Sequence, residues 1–190
     1  MKVAIVSGSV VGSKTRKITT EIKEKIDEKY SDYEISYIDL KDYDMPYSDG
    51  RNYLDYDDST SSALKQIMEA DVVFIGTPIF QASIPAPLKN LFDLLPPDGF
   101  RNKTVGMVIT AGSQKHYLVA EQQLKPILAY MKANIVQGYV YAIDSDFGST
   151  GVESDDIHYR IDRLIEATFN EREAQRHVLS KYEEHSTGIV

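Results

Sequence analysis

The chain has 190 residues, 42% of them hydrophobic and 26% charged, the make-up of a soluble globular domain with a sizeable core. A formal net charge of −8 argues against a binder of nucleic acid or of an anionic membrane, both of which need a basic surface. The lack of cysteine removes disulfides, thiolate metal sites and cysteine nucleophiles together.

The first predicted strand is Val3–Val6. It enters a Ser- and Gly-rich loop and then a helix over Lys14–Tyr30, with Ile18, Ile22 and Ile26 on one face. A strand at Tyr33–Leu40 leads into "DLKDYDMPYSDGRNYLDYDDST", read as a solvated loop over the sheet edge, with an active-site cover or a subunit contact as the alternative its tyrosines suggest. Helix Ser59–Ala70, strand Val72–Gly76, helix Pro85–Leu95 and strand Thr104–Thr110 follow. Helix His116–Met131, strand Ile135–Ile143 and helix Asp155–His177 complete the alternation. From about residue 171 the chain reads as a charged helical extension with a frayed tip. The runs "VVFIG" and "VGMVIT" are apolar on both faces, as central parallel strands covered by helices must be.

Five βα units predict a doubly wound α/β fold: a five-stranded parallel sheet in the order 2-1-3-4-5, with helices on both faces. No linker interrupts the pattern, so one domain over residues 1–190 is expected. No secretory n- and h-region follows Met1, and no apolar run reaches membrane-span length, which predicts a cytoplasmic protein. In this topology ligands bind beyond the carboxyl ends of the strands, at the switch point between the first and third. Three loops are thereby singled out, after strands one, three and four.

The first, "SGSVVGSKT", is one residue short of the triphosphate pattern G-x-x-x-x-G-K-[ST]. It has Ser13 where that pattern needs Gly, and no acidic residue follows "VVFIG" to organise Mg²⁺, so ATP hydrolysis is not expected. What remains is a monophosphate cradle: glycines admit close backbone approach, and Ser9, Ser13 and Thr15 add hydroxyls at the positive end of a helix. Lys14, Arg16 and Lys17 crowd a first turn where the macrodipole disfavours cations, a cost that a bound anion would offset. The plainer alternative is a Ser/Gly turn with Ser13 as N-cap.

The second loop, "GTPIFQASIPAPLKNLFDLLP", places Ile79 and Phe80 at the switch point, walls suited to a planar ligand or simply loop packing. The third, "TAGSQKH", has small residues that let backbone N–H groups reach a ring's polar edge, although such residues are also ordinary turn chemistry. No His/Asp/Glu group has metal-ligand spacing, and the histidines read as solvent-facing helix or loop residues.

Through "GSVVGSKTR", "TPIFQASIPAPLKNLFDLLP" and "AGSQKH" the chain resembles the NAD(P)H-dependent FMN reductase family, which includes quinone, chromate and azo-dye reductases. The resemblance spans Val3 to Ile143 and implies a flavodoxin-like fold, FMN, NADPH or NADH, and a homodimer or homotetramer. It implies that Ser9, Ser13, Lys14 and Thr15 hold the FMN phosphate, with Arg16 as a further cation. Pro78, Ile79, Phe80 and Gln81 would line the ribityl chain and ring, and Thr110, Ala111, Gly112 and Ser113 would meet its polar edge. Val10 and Val11 stand where the family often has Pro-Arg, and Phe80 replaces a common Tyr. "HYLVAEQQLKPIL" resembles the alkanesulfonate-linked flavin reductases, except that Gln122 stands where that branch tends to carry Tyr. The flavin supplies the hydride chemistry, so no catalytic side chain is expected. The implied function is hydride transfer from NAD(P)H to bound FMN and on to a small acceptor: a quinone, an azo compound or free flavin. A flavodoxin-type electron carrier, a redox sensor, and a reductase supplying reduced FMN to a monooxygenase are the alternatives.

Overall fold

The structure, a computed structural model, describes residues 1–187, with side chains through residue 181. The tip expected to fray, residues 188–190, lies outside the described residues. Five parallel strand positions run in the order β2-β1-β3-β4-β5, with β1 at Lys2–Ser7, β2 at Glu34–Asp39, β3 at Val72–Pro78, β4 at Thr104–Ala111 and β5 at Asn134–Ile135. A further short strand, β6 (Val140–Ile143), also pairs with β4. The doubly wound topology expected from the alternation is the one observed.

The strand predicted as continuous over Ile135–Ile143 is therefore interrupted. Between Ile135 and Val140 the chain advances five positions, while its partner β4 advances three, from Val105 to Val108. The two surplus residues fall in a stretch that includes Gln137 and Gly138, poor strand formers that let the ladder break and resume.

Alternation along the strands assigns each helix to a face. Val3 and Ile5 of β1 join a cluster with Ile18, Ile22 and Ile26 of α1 (Lys14–Lys29) and Ile161, Leu164 and Phe169 of α5 (Asp155–Thr187). Ala4 and Val6 point the other way, toward α2 (Asp58–Glu69), α3 (Ala86–Leu94) and α4 (Lys125–Tyr130). β3 and β4 are buried along their whole length, as their apolar runs require. α1 presses closely on β3: a Cβ at Gly76 would overlap the Thr19 side chain, so only glycine fits there.

Two expectations need correction. The helix read over His116–Met131 is a 3₁₀ turn at Gln114–His116, a π-helical stretch at Ala120–Leu124 and only then α4. Pro126 has no N–H and its ring crowds the carbonyl four residues back, and Lys125 N–H bonds the Ala120 carbonyl, five residues back. The Asp/Tyr-rich segment is not merely solvated. Tyr56 is buried, Tyr43, Met45 and Tyr53 pack on the core, and Ser48 N–H donates to Asn90 Oδ1 of α3 at 3.0 Å. Among the described residues no helix is long and apolar enough to cross a membrane.

Candidate functional site

The carboxyl ends of β1, β3 and β4 open into a cavity of about 450 Å³. Nine of the twelve residues singled out in the sequence line it: Ser13, Lys14, Thr15, Pro78, Ile79, Phe80, Thr110, Ala111 and Gly112. The three loops chosen by topology thus meet at one place. Ser9, Gln81 and Ser113 do not line it. Ser9 Oγ donates to the Val11 carbonyl at 2.6 Å, so it shapes the first loop from within. Gln81 sits in a turn, and Ser113 opens the 3₁₀ turn that follows β4.

The start of α1 is built from donors. Gly8 N–H donates to the Gly76 carbonyl at 2.8 Å, which ties the loop to β3. Gly12 then takes φ +76°, a left-handed conformation that turns the chain into the helix. Ser13 stands at the N-cap but makes no side-chain capping bond. The leading N–H groups of an α-helix have no carbonyl partner within it, so an uncapped N-terminus beside a cavity is a set of donors awaiting an anion. Thr15 and Thr110 share a buried 2.8 Å hydrogen bond that fixes α1 to β4 on the cavity floor.

Opposite these donors stand Ile79 and Phe80, the latter 36% exposed. Phe80 and Ser83 pair across a two-residue turn in which Gln81 and Ala82 both take positive φ, +46° and +58°. That conformation costs a residue with a Cβ about 1–2 kcal/mol, and it holds the Phe80 backbone at the cavity edge. The third wall is held from outside: Tyr141 OH donates to the Ser113 carbonyl at 2.7 Å and Tyr139 OH to the Tyr117 carbonyl at 2.8 Å. Burial pushes the pKa of both phenols up.

The cations of the first turn are placed differently from the sequence reading. Arg16 pairs with the buried Asp39 and, at 2.9 Å, with Asp42, and the Asp39 carboxylate raises the guanidinium pKa above its ordinary value. Lys17 Nζ donates to the carbonyls of Gly148 and Ser149 at 2.8 and 2.9 Å. Lys14 alone lines the cavity, and its Nζ lies 2.6 Å from Asp144 Oδ1. Acceptors within the protein therefore offset much of the cost of crowding cations there, without any bound anion. Asp144, Val11 and Gly12 complete the lining and were not among the site residues named from sequence. Only the position of Asp144, just past the carboxyl end of the last strand, could have marked it. Among the described residues the histidines bring no cluster to the site, and His158 instead contacts Glu21 Oε1 through Nδ1 at 2.5 Å, tying α5 to α1.

The donor set suits a phosphate ester and the apolar wall a flat ring, so the residues present fit a phosphorylated flavin. Together, fold and cavity define a flavodoxin-like protein with a cavity at the switch point of the sheet. The NADPH-dependent FMN reductase family model matches residues 1–148, and the chain belongs to that family. An NAD(P)H-dependent FAD/FMN reductase of Geobacillus thermodenitrificans is 40% identical over 147 residues, spanning 77% of this chain and 80% of that protein. An FMN reductase (NADPH) of Escherichia coli is 33% identical over 113 residues, 56% of this chain and 59% of that one. Among solved structures, the apo form of an NADH:FMN oxidoreductase aligns with a TM-score of 0.71 at 27% identity, covering 87% of this chain and 86% of that chain. The NAD(P)H:(acceptor) oxidoreductase FerB of Paracoccus denitrificans, 17% identical with a TM-score of 0.72 over 92% of this chain and 98% of its own, shares the fold. Enzyme class and cofactors, FMN with NAD(P)H, are those of the family.

Proposed function

We propose that this protein holds FMN in the cavity at the ends of β1, β3 and β4 and passes reducing equivalents from NAD(P)H to a small acceptor such as a quinone, an azo compound or free flavin. The observation that carries the reading is the uncapped, hydroxyl-rich start of α1 facing an apolar wall across one cavity. Ser13, Thr15 and the leading N–H groups of α1 bind the phosphate, with Lys14 at the rim. Pro78, Ile79 and Phe80 form the side of the ring and ribityl slot, which Gln81 supports from its turn. The backbone from Thr110 to Ser113 offers N–H groups to the ring's polar edge, and Ser9 keeps the first loop in shape. Bound FMN would supply the hydride and electron-transfer chemistry, so the roles left to the chain's residues are to bind and orient it and to exclude water rather than to act as acid or base. We further take the chain to be one cytoplasmic domain that works as a homodimer or homotetramer.

Titration of the apo protein with FMN and with riboflavin tests the phosphate assignment. FMN binds more tightly, and Ser13→Ala or Thr15→Ala weakens it by about one to two decades; Ser13→Ala leaves riboflavin alone, whereas Thr15→Ala also breaks the bond to Thr110 on the cavity floor. Equal affinity for the two flavins counts against the assignment. Retention is read from kinetics: parallel double-reciprocal lines follow from a cofactor that stays bound and one shared site. Intersecting lines, with flavin lost on gel filtration, indicate that reduced FMN is a product supplied to a partner.

A further inference from the structure

The three cations at the start of α1 have different kinds of partner. Arg16 and Lys17 are held by Asp39, Asp42 and two carbonyls of the 148–149 turn, none of which lines the cavity. Lys14 is held by a carboxylate that does line it, Asp144, at 2.6 Å. Asp144 begins a 3₁₀ turn directly after β6, and Asp146 of the same turn accepts the Ile143 N–H at 2.7 Å, so the carboxylate comes from a fixed base. The two side chains are 39% and 56% exposed, and a pair so open to water contributes little to folding. Its place inside the ligand cavity needs another explanation.

We propose that Asp144 is a specificity-determining residue: it competes with the ligand's phosphate for Lys14 and so sets how strongly the site prefers a phosphorylated over an unphosphorylated flavin. This rests on the FMN reading above. A phosphate arriving at the α1 N-terminus has two courses. It draws Lys14 away from Asp144 and leaves that carboxylate unpaired, or it binds beside a lysine whose charge is already cancelled. Each course weakens binding of a dianion, and neither touches riboflavin, which presents only a hydroxyl. Solvent reaches the pair, so the competition is worth about one decade of affinity rather than several. The apolar wall is untouched by it, and the ring affinity common to both flavins stays constant. Asp144 thereby moves the site from permanent retention of its flavin toward exchange.

The test is a pair of titrations, FMN and riboflavin, on the full-length apo protein by flavin fluorescence, for wild type, Asp144→Asn, Lys14→Met and the double variant. Circular dichroism melting checks that each variant is folded. Asp144→Asn is expected to tighten FMN about tenfold and leave riboflavin within about twofold, and most of the gain disappears in the Lys14→Met background, as coupled partners require. The proposal is overturned by unchanged or weaker FMN binding, by an equal gain for riboflavin, or by a gain that survives in full without Lys14. Wild-type protein binding riboflavin as tightly as FMN sinks the phosphate assignment instead, so the two failures are distinguishable.

Discussion

Tyr141 shows how a single hydroxyl fixes one wall of the site. Its OH reaches from β6 to the Ser113 carbonyl at 2.7 Å and anchors the segment that follows β4. Tyr141→Phe removes that bond at a cost of about 0.5–1.5 kcal/mol, to be measured by urea unfolding near neutral pH. The cost also depends on pH. Burial raises the phenol's pKa above its ordinary 10.0, so the unfolded chain loses this proton first as pH rises. The stability Tyr141 supplies is therefore complete below about pH 10 and is lost as pH climbs through the folded-state value. The gap between wild type and Tyr141→Phe should shrink between neutral and strongly alkaline pH; a gap that widens contradicts the assignment. The pairings of Tyr141 and Asp144 were invisible in the sequence for the same reason. Their partners, Ser113 and Lys14, lie far away along the chain, and no spacing rule connects them. Arg16 was misplaced on the same ground, because its acidic partners arrive from the end of β2. Ser13, Lys14 and Thr15 were legible because loop, helix start and topology all point to them locally.

At the level of elements, the turn that presents Phe80 is held in a conformation its residues do not favour. Ala82 at φ +58° sits where glycine would be unstrained. Relief of about 1–2 kcal/mol exceeds the extra chain entropy that glycine loses on folding, about 0.5–1 kcal/mol. Ala82→Gly should thus raise stability by about 0.5–1 kcal/mol, and Ala82→Val should lower it; chemical denaturation of both decides. The turn was not readable beforehand, since Gln-Ala lacks the Asn-Gly or Gly-Gly signal of such turns. The helix start at Lys14 and the Ile18–Ile22–Ile26 stripe were readable, because helical periodicity is a local property. The π-helical stretch and the broken last strand were not. Both depend on where a missing donor or a surplus pair of residues falls against a neighbour, which register alone reveals.

Across the whole molecule, α5 ties the chain's end to its beginning. Phe169 meets the rings of Tyr30 at 4.6 Å, Tyr33 at 5.1 Å and Phe74 at 6.0 Å, all edge-on, and is 4% exposed. On that face Lys25–Asp162 and Lys29–Glu166, both 2.8 Å, add exposed pairs worth far less than the apolar burial beneath them. Phe169→Ala should cost about 3–5 kcal/mol in equilibrium unfolding, whereas Lys29→Ala, which removes a solvent-screened pair, should cost far less. The reverse ranking would mean that charge rather than packing secures α5. The doubly wound order was legible because strands apolar on both faces and helices in strict alternation leave few other arrangements. The acceptor was not, since a fold by itself does not specify what its site acts on.

The break in the last strand has a consequence between molecules. β2 and the β5/β6 position are the two edges of the sheet, where unpaired backbone groups could recruit strands from other chains. β5 offers two residues and β6 four, displaced from each other by the surplus of the intervening stretch. A foreign strand that follows one piece falls out of step with the next. The same irregularity that divides Ile135–Ile143 thus makes this edge a poor template for a foreign strand, a protection that the unbroken β2 edge does not share.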